Sequence, residues 1–559
     1  SAKTVAVFQV ESSGMMDALK RMKPTCIEDI VALVALYRPG PMENIPVYCE
    51  VKNGQRERES VHPSIDHILE ETQGIIVYQE QVMQIAQVMA GYSLGGADLL
   101  RRAMGKKIAE EMAKERPKFE KGAMANGVDK KKASEVFDLL EKFANYGFNK
   151  SHAAAYAVVS YQTAWLKANH PVEFMAGVMN CDIHLTDKLA VYFEEVRKRL
   201  ELPWVPPCVN RSDATFKVVE GALVYALGAL KNVGVEAMKL ITEGRKVDGV
   251  DKPFATLFDL ARRVDLKRVG KRPLEMLARS GAFDQLDNNR RRVWQSLDGL
   301  VSYSAAIHEQ KASNQVSLFG EAGDDLPEPR IVPCDDWEAA ERLTEEFKAV
   351  GFYLSGHPLD DYMGPMKRKS ATGGVPFLTL DELTEKVSVK GAMNARLAGI
   401  VAGRQERKSA RGNRFAFAQL SDPTGAYEVT LFSDTLELAR DHLETGSKVV
   451  VMVEATMESD QLKLLGRSVV PIDTVVEDAG NMGLRIFVDD AGAIQAVADV
   501  LAGARSAARS AGKGPVQLCL MDPTLPGEVE VDLCAEYPVT PKIKGAIRSL
   551  TGVMEVEEI

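Results

Sequence analysis

The chain has 559 residues, of which 45% are hydrophobic and 26% charged, and this length suggests roughly three to five folded domains. No apolar run approaches the roughly 20 residues of a membrane span, and we expect neither a membrane association nor a signal peptide. The formal net charge of −10 on its own disfavours nucleic acid as a partner, because bulk negative charge repels phosphate, although local basic clusters matter more than the average.

The cysteines are scattered along the chain without any CxxC pair. This pattern predicts a reduced, cytosolic protein with no structural zinc and no metal site in this chain. The seven positions are Cys26, Cys49, Cys181, Cys208, Cys334, Cys519 and Cys534.

Helical periodicity dominates residues 1–200, apart from a strand-like opening, TVAVFQVES. From 201 to 300, short β-prone pieces give way to short helices separated by glycine turns. A polar, proline-bearing linker follows at 301–335, and a connecting segment at 336–389.

The remaining chain divides into two further domains. Residues 390–475 contain five alternating apolar and polar stretches, which predict a small all-β barrel of the oligonucleotide-binding (OB) type. Residues 476–559 predict a small α/β domain. The expected fold is therefore multidomain, mostly α-helical at first, then an OB-fold barrel and a small α/β carboxy-terminal domain.

A lysine, a hydroxyl and an imidazole stand side by side where the alanine-rich helix of GFNKSHAAAYAVVSYQTAWLK (147–167) begins. A helix N-terminus carries unpaired N–H groups and about half a positive charge, which suits an anion. Ser151 is the expected N-cap, Lys150 adds a full charge, and Asn149 and His152 add donors. Taken alone, the run is also explained by a capped helix whose polar residues face solvent.

A second basic cluster lies upstream, in LLRRAMGKK. It contains no acid, and like charges four residues apart slightly destabilise a helix, a cost that is tolerated where a polyanion lies opposite. Two such clusters suit a triphosphate or a nucleic-acid backbone. A solvated helix face is the alternative. The members of the cluster are Arg101, Arg102, Lys106 and Lys107.

Three segments closely resemble the fingers domain of the alpha subunit of bacterial DNA polymerase III, the C-family replicative polymerase. They are YRPGP (37–41), GIIVYQEQVMQIAQVMAGYSLGGADLLRRAMGKK (74–107) and EKFANYGFNKSHAAAYAVVSYQTAWLKANHPVEFMAGVM (141–179). The resemblance implies that residues 1–200 are a fingers domain that closes over the incoming dNTP and the templating base of primer–template DNA. It also implies that a set of residues faces the triphosphate or the nearby DNA backbone: Arg38, Arg101, Arg102, Lys106, Lys107, Asn149, Lys150, Ser151 and His152.

The family's catalytic palm carries three aspartates that hold two Mg²⁺ ions for phosphoryl transfer. Their motif, Pro-Asp-Phe-Asp-x-Asp, does not occur in this sequence. We therefore expect a carboxy-terminal half of the subunit that has no catalytic residue or bound cofactor of its own and is inactive alone. The palm, the thumb and an amino-terminal region that contacts the proofreading exonuclease would precede Ser1.

Two segments have the form of helix-hairpin-helix (HhH) turns, whose backbone N–H groups bind a phosphate without recognising sequence. They are YALGALKNVGVEAMKLI (225–241), where a short helix ends at Lys231, and VDLKRVGKRPLEMLARSGAFD (264–284). Each alone also fits an ordinary helical corner, but tandem hairpins at this position in the family grip duplex DNA. The candidate residues are Lys231, Asn232, Gly234, Lys267, Arg268 and Gly270, followed by Arg290, Arg291 and Arg292.

KVDG (246–249) fits the Lys-x-Asp-Gly nucleophile motif of DNA ligases. Three fixed residues occur by chance in chains of this length, and here they lie in a short polar loop between the two hairpins rather than in an adenylation domain before the barrel. We therefore expect no ligase activity.

NQVSLFG (314–320) is a small apolar island in the polar linker. An exposed Leu-Phe pair in such a segment is either an interaction anchor or a loop that folds back on its own domain. Gln315, Leu318 and Phe319 resemble the sliding-clamp-binding peptide of bacterial replication proteins and lie at the family's position for it.

The first hairpin of the predicted barrel, GRQERKSARGNRFAF, is strongly basic. Basic residues beside an aromatic platform suit single-stranded DNA, whereas two core phenylalanines and a solvated turn are the alternative. The candidates are Arg404, Arg407, Lys408, Arg411, Arg414, Phe415 and Phe417. In the family this barrel is proposed to handle the single-stranded template.

The resemblance assigns residues 476–559 to binding of the tau subunit of the clamp loader, and the whole protein to the bacterial cytoplasm and nucleoid. Two alternatives remain. One is the error-prone translesion paralogue of the same family, which commonly lacks a strong clamp peptide and tail. The other is a stand-alone, non-catalytic module that binds DNA and tethers it to the clamp.

Overall fold

The computed structural model describes residues 2–106, 109–144, 146–312, 326–371, 374–408, 412, 414–458, 461–476, 483–490, 492–507, 513–521, 529–548, 550 and 552–559. The chain divides into two compact units, Ser1–Met175 and Ala176–Ile559. Among the described residues, no helix is long and apolar enough to cross a membrane.

The first unit is helical, as predicted for this region. Its helices are α1 (Ser13–Met22), α2 (Ile27–Leu36), α3 (Ile45–Lys52), α4 (Asp66–Leu69), α5 (Gln79–Ala90), α6 (Leu94–Lys106), α7 (Ala109–Ala125), α8 (Lys130–Ala144), α9 (Lys150–Asn169) and the first part of α10 (Pro171–Cys181). Short 3-10 turns occupy Pro41–Asn44 and Glu70–Thr72. The 20-residue helix α9 buries only small residues and one lysine, so that α2 packs closely against it.

The strand-like interpretation of TVAVFQVES is wrong, because these residues form turns. Their carbonyl groups bind side chains of α9 instead of a neighbouring strand. The buried Lys167 ammonium donates to the carbonyl oxygens of Lys3 and Val5 over 2.9 and 2.8 Å. Ser160 Oγ donates to the carbonyl of Phe8 over 2.9 Å.

The second unit begins with helices and a small sheet. Its elements up to the barrel are α11 (Thr186–Glu194), β1 (Trp204–Val205), β2 (Lys217–Val219), β3 (Ala222–Val224), α12 (Val235–Gly244), β4 (Lys246–Val247), β5 (Val250–Asp251), α13 (Leu257–Arg263), α14 (Leu266–Val269), α15 (Lys271–Ser280), α16 (Arg290–Ala312), α17 (Ala339–Val350), α18 (Asp360–Ala371) and α19 (Leu380–Lys390). Strand β3 lies between β1 and β2.

Five long strands follow, as the alternating pattern predicted. They are β6 (Ala392–Lys408), β7 (Arg414–Asp422), β8 (Gly425–Phe432), β9 (Lys448–Glu458) and β10 (Gln461–Pro471), with α20 (Ser433–Ala439) between β8 and β9. Neighbouring strands pair in the order β10-β8-β7-β6-β9, and β9 pairs with β10 to close a barrel. All pairs are antiparallel except β8–β10, which Leu465 and Thr430 join in parallel.

The carboxy-terminal part contains α21 (Ile472–Val476), β11 (Leu484–Val488), α22 (Gly492–Ala507), β12 (Lys513–Leu520), β13 (Val529–Pro538), α23 (Pro541–Arg548) and β14 (Val553–Glu558). The sheet has the order β13-β12-β11-β14, and apolar residues of α22 and α23 form a common core with its inner face. The predicted change from a helical to a β-rich carboxy-terminal region is thus confirmed.

Candidate functional site

In the first unit, the starts of α5 and α9 lie side by side. Tyr78 and Phe148 form a parallel bridge, in which the N–H of Gln79 donates to the Phe148 carbonyl over 2.9 Å and the N–H of Phe148 donates to the Val77 carbonyl over 3.1 Å. These two short extended segments bring the sequence motifs YQEQ (78–81) and GFNKSH (147–152) together.

Glu80, in the first turn of α5, binds the start of α9. Its carboxylate accepts hydrogen bonds from the Lys150 N–H over 3.0 and 3.2 Å and from Asn149 Nδ2 over 3.0 Å. The positive end of the α9 dipole therefore already lies against a carboxylate of the protein, where the sequence predicted a free anion site.

The prediction that Ser151 is the N-cap of α9 is wrong. The N-cap is Asn149, which has extended backbone angles and whose Oδ1 accepts from the His152 N–H over 2.8 Å. Ser151 already lies within the helix, with its side chain exposed. A cap must have a non-helical backbone, and only the asparagine meets that condition here.

The Lys150 side chain reaches an acid as well. Its ammonium is 2.6 Å from Glu71 Oε2 and 5.4 Å from the centre of the Tyr78 ring. The His152 ring lies between the rings of Phe148 and Tyr156, at centroid distances of 5.3 and 4.5 Å.

The basic cluster on α6 is partly neutralised by Asp98, which lies one turn earlier. Sequence reasoning missed this acid because it lies outside the LLRRAMGKK run. Arg101 binds Asp98 Oδ1 over 2.7 Å, and the more exposed Arg102 binds Oδ2 over 2.9 Å. Hydrogen bonding from Arg101, with help from Arg102, lowers the pKa of Asp98. Lys106 ends α6, and Lys107 lies outside the described residues.

Gln79 connects the α6 cluster to the start of α9. Its Oε1 accepts from Arg101 Nη1 over 3.0 Å, and its Nε2 donates to the Gly147 carbonyl over 3.0 Å. Sequence reasoning missed Gln79, Glu80 and Glu71 as members of this site. The available signal was the YQEQ motif, in which polar residues begin an otherwise apolar helix.

Arg38 has a structural role that the prediction did not anticipate. Its guanidinium donates to the carbonyls of Ala35 and Tyr146 over 2.8–3.0 Å and lies 4.3 Å from the Phe148 ring centre. Burial lowers the pKa of Arg38. These contacts hold the loop before α9 against the end of α2.

In the second unit, the predicted second HhH turn has the expected form. Gly270, between α14 and α15, adopts φ +94°, which favours glycine. Lys267 and Arg268 are exposed on one side of this glycine. Lys271 and Arg272 are exposed on the other side, and sequence reasoning missed them although they belong to the same KRVGKR run. Lys267 and Lys271 pair with exposed acids of α16, Glu309 and Asp298, over 3.2 and 2.8 Å.

The first HhH turn differs from its prediction. The element before it is a single 3-10 turn, Leu227–Ala229, rather than a helix ending at Lys231. Asn232 adopts φ +60° in the turn, and Gly234 is the N-cap of α12. Lys231 packs toward α17, with its ammonium 5.6 Å from the Phe347 ring centre. A Cβ at Gly351 would come within 2.6 Å of the Lys231 side chain, so the two pack tightly.

Two of the three arginines that follow the hairpins, Arg290 and Arg292, pair with acids of the protein. Arg290 is buried between Asp284 and Glu346, at 2.8 and 3.4 Å. Arg292 pairs with Asp287 over 2.6 Å. The KVDG motif forms the exposed β4–β5 hairpin.

On the barrel, Phe415 and Phe417 are half-buried and point outward, since their neighbours Ala416 and Ala418 belong to the buried, inward-facing positions of β7. The alternative that both phenylalanines are core residues is therefore wrong. Arg407 lies 5.6 Å from the centre of the Phe417 ring. The exposed Phe432 is the cross-strand neighbour of Phe415, and sequence reasoning missed it.

The remaining barrel cations surround this surface at the end of the β6–β7 hairpin. Arg404 donates to the Arg440 carbonyl over 2.9 Å, while Lys408 and Arg414 are exposed and directly paired across the strands. Arg411 lies outside the described residues, as do Gln315, Leu318 and Phe319 of the predicted clamp peptide. Among the described residues, no group of three or more His, Cys, Asp or Glu side chains is arranged to hold a metal ion.

Comparison with protein families gives two matches. Residues 1–127 match the finger domain of the bacterial DNA polymerase III alpha subunit. Residues 201–293 match the helix-hairpin-helix motif, which confirms the prediction of a helix-hairpin-helix region after the first 200 residues. One solved structure, the second OB-fold domain of replication protein A from Methanococcus maripaludis, covers 14% of this chain and 85% of its own at 19% identity. Its TM-score of 0.13 is too low to support an argument about fold.

Curated relatives match along most of the chain. DNA polymerase III subunit alpha of Caulobacter vibrioides is 43% identical over 561 residues, covering all of this chain and 47% of the relative. The subunit of Escherichia coli K12 is 41% identical over 88% of this chain and 42% of its own length, and that of Rickettsia prowazekii is 38% identical over 85% and 42%. The chain thus spans about half the length of these relatives, and it belongs to the family of bacterial DNA polymerase III alpha subunits.

Proposed function

We propose that this chain positions the incoming nucleotide and the primer–template DNA for template-directed DNA synthesis by a replicative polymerase. The observation that carries the proposal is the identity of 38–43% to chains named DNA polymerase III subunit alpha over 85–100% of its length. The assembled α5–α6–α9 site and the exposed cations of the second HhH turn give this role a physical basis.

Nucleotide binding is assigned to the α5–α6–α9 site. Lys150 and Arg102 carry the side chains best suited to phosphate oxygens, because both are more than one third exposed. Arg101 and Gln79 connect α6 to the loop before α9 by hydrogen bonds, and Asn149 binds Glu80 at the start of α9.

Duplex DNA is assigned to the second HhH turn. Its four exposed cations and the unpaired N–H groups at the start of α15 suit one backbone phosphate and its neighbours. The partners of Lys267 and Lys271 are exposed acids, so these ion pairs are weak and phosphate can replace them.

Single-stranded template is assigned to the barrel, which we propose is an OB fold. Numbered from its own first strand, the barrel has the cyclic order 1-2-3-5-4, and a helix joins its third and fourth strands. Phe415, Phe417 and Phe432 present aromatic surface on strands 2 and 3, the face that such folds use for oligonucleotides.

We propose that the Gln315–Phe319 peptide binds the sliding clamp and that the carboxy-terminal α/β domain binds the tau subunit of the clamp loader. These assignments place the protein in the cytoplasm, at the nucleoid. The first assignment rests on the resemblance of the linker peptide, and the second on the position of the domain within the family. By the same resemblance, we propose that the proofreading exonuclease contacts another part of the subunit.

Catalysis itself is not assigned to any residue of this chain. The palm motif with its three aspartates is absent from the 559 residues, and the described residues offer no substitute for a Mg²⁺ site. The chain therefore binds and orients the nucleotide and the DNA. This orientation lowers the barrier of phosphoryl transfer only when a palm domain supplies the metal-binding groups.

The test is binding of this chain to a fluorescent primer–template with a single-stranded overhang, combined with a primer-extension assay. We expect affinity that is independent of sequence and falls steeply with salt, together with no extension by the chain alone. Binding that is insensitive to salt would contradict the DNA-positioning role. Extension by the purified chain, lost on Lys150→Ala, would contradict its dependence on a separate palm.

A further inference from the structure

The ammonium of Lys150 lies within reach of two competing anions, one inside the protein and one outside it. The internal anion is Glu71, whose Oε2 is 2.6 Å from Lys150 Nζ. The external anion is the nucleotide phosphate that the proposed function assigns to the same lysine. Because the Glu71 carboxylate already neutralises much of the ammonium charge and repels a second anion, a phosphate binds Lys150 more strongly once Glu71 has moved away.

Glu71 is not well satisfied where it lies. Its second oxygen, Oε1, is buried and has no hydrogen-bond partner among the described residues. A buried acceptor without a donor destabilises the state that contains it. The Glu71 and Lys150 side chains are 34% and 42% exposed, so their ion pair is weak.

Glu80 behaves differently although it lies close by. It accepts three hydrogen bonds from the Lys150 N–H and the Asn149 amide, and these orient the first residues of α9. Glu80 is therefore a positioning residue for the start of α9, and these hydrogen bonds do not involve the Lys150 side chain.

The backbone around Glu71 is fixed. The buried Thr72 hydroxyl donates to the Ile75 carbonyl over 2.5 Å and accepts from Gln81 Nε2 over 2.8 Å. Release of Lys150 therefore requires only a rotation of the Glu71 side chain and no movement of a loop.

We propose that Glu71 is an internal counterion that competes with the nucleotide triphosphate for Lys150 and so sets the affinity of the site. This inference rests on the proposed nucleotide-binding function. While Glu71 holds the lysine, the site is not competent to bind, and the apparent affinity falls in proportion to the fraction of time that the lysine is released. The contact also keeps a partly buried cation neutralised when no nucleotide is bound.

The experiment is calorimetry on the 559-residue chain with dATP and, separately, inorganic tripolyphosphate, in a buffer with chelator so that only protein cations bind the phosphates. We expect Glu71→Gln to tighten binding of both probes by about two- to five-fold, the factor that an ion pair of this exposure is worth. Glu71→Asp, which withdraws the carboxylate from the 2.6 Å contact but keeps its charge, should give an intermediate affinity.

Three further variants make the test specific. Glu80→Gln should weaken binding, the opposite sign to Glu71→Gln. Glu70→Gln is the matched control: it removes one negative charge from the next residue, whose side chain is 74% exposed and pairs loosely with Arg58, and it should leave the affinity unchanged. In a Lys150→Ala background, Glu71→Gln should have no effect, because the competition requires the lysine.

Two results would overturn the inference in distinguishable ways. If the parent chain binds both probes through Lys150 but Glu71→Gln binds no more tightly, the counterion role is wrong and the nucleotide site stands. If neither the parent nor Glu71→Gln binds either probe, the assignment of the triphosphate to this site is itself wrong.

Discussion

The rings of Phe415 and Phe417 lie 5.4 Å apart on the outer face of β7 and stand nearly perpendicular, at 85°. Their neighbours Ala416 and Ala418 fill the barrel interior, so the two rings contribute little to the core. Outward aromatic rings beside arginines are the arrangement on which unstacked bases lie in single-stranded DNA-binding proteins.

We expect Phe415→Ala/Phe417→Ala to weaken binding of single-stranded oligothymidine by about 1–3 kcal/mol for each base that stacks. Thermal stability should change little, because neither ring is buried. Fluorescence anisotropy with the labelled oligonucleotide measures the effect. Leu438→Ala, which removes another exposed apolar side chain of the barrel, is the control, and equal losses in both variants would exclude a specific platform.

The two HhH turns should contribute unequally to duplex binding. Arg268 and Arg272 are exposed beside Gly270, whereas Lys231 of the first turn packs on Phe347. Arg268→Ala and Arg272→Ala should each weaken binding equally for all sequences and reduce the slope of log affinity against log salt by about 1. Lys231→Ala should change this slope much less. A larger effect for Lys231 would mean that the first turn is the principal phosphate contact.

The linker peptide can be tested against a purified bacterial sliding clamp. Leu318 and Phe319 together could contribute roughly 3–5 kcal/mol before ordering costs, so Leu318→Ala/Phe319→Ala should abolish detectable binding. Surface plasmon resonance measures the affinity, and Leu326→Ala, a nearby exposed leucine, is the control. Absence of binding by the parent chain would favour the translesion paralogue.

Asp29 should be important for the local stability of the first unit. Its buried carboxylate accepts from the Lys52 ammonium over 2.8 Å and from the Thr25 N–H over 2.9 Å. Burial alone would raise the pKa of Asp29, but the hydrogen bonds from Lys52, Thr25 and Cys26 outweigh it and lower the pKa. Removing one partner of such a buried pair costs about 3–5 kcal/mol, and we expect that loss for Asp29→Ala.

Hydrogen exchange of α2 and α3 in the full chain measures this loss of local stability. The pKa of Asp29 is lower in the folded than in the unfolded state. Its contribution to the free energy of unfolding is therefore complete above about pH 3.9 and disappears as the pH falls through the folded-state pKa. The protection difference between parent and variant should therefore be constant at neutral pH. A difference that shrinks between pH 8 and 6 would contradict this assignment.

His357 should remain neutral at physiological pH. Burial, with smaller effects of Lys198 and Lys448, lowers the pKa of His357 to about 3. Its Nδ1 accepts from the Leu359 N–H over 3.2 Å, and its Nε2 lies 3.2 Å from Ser421 Oγ on the barrel. Protonation would break the first of these hydrogen bonds and place a charge in a buried position.

The unfolded chain protonates this histidine near pH 6.5. As the pH falls from about 6.5 to 3, His357 should therefore lower the free energy of unfolding of the second unit by about 1.4 kcal/mol for each pH unit. His357→Gln cannot be protonated and should reduce this acid sensitivity. Thermal unfolding midpoints of both proteins from pH 7 to 4 measure the difference. Parallel pH profiles would show that the pKa of His357 is the same in the folded and unfolded states and would contradict this prediction.

Much of this protein follows from local sequence. Helical periodicity, the alternation in five strands and the glycine of KRVGKR each depend on residues within one turn or one strand pair, where the spacing of apolar residues and the backbone freedom of glycine decide the structure. The candidate cations of α6 and α9 also stand out locally, because charged runs at helix ends are visible without a fold.

What those cations contact was decided only by the tertiary structure. Lys150 and Glu71 are 79 residues apart, and Glu80 and Asn149 are 69 residues apart. Nothing in either segment alone reveals that acids of the first segment bind the start of α9. Lys231 likewise lies on a ring more than a hundred residues downstream. Charge and hydrogen-bonding partners depend on distances that chain folding sets, so a basic motif in the sequence predicts a charge, while only packing determines whether that charge remains available to a ligand.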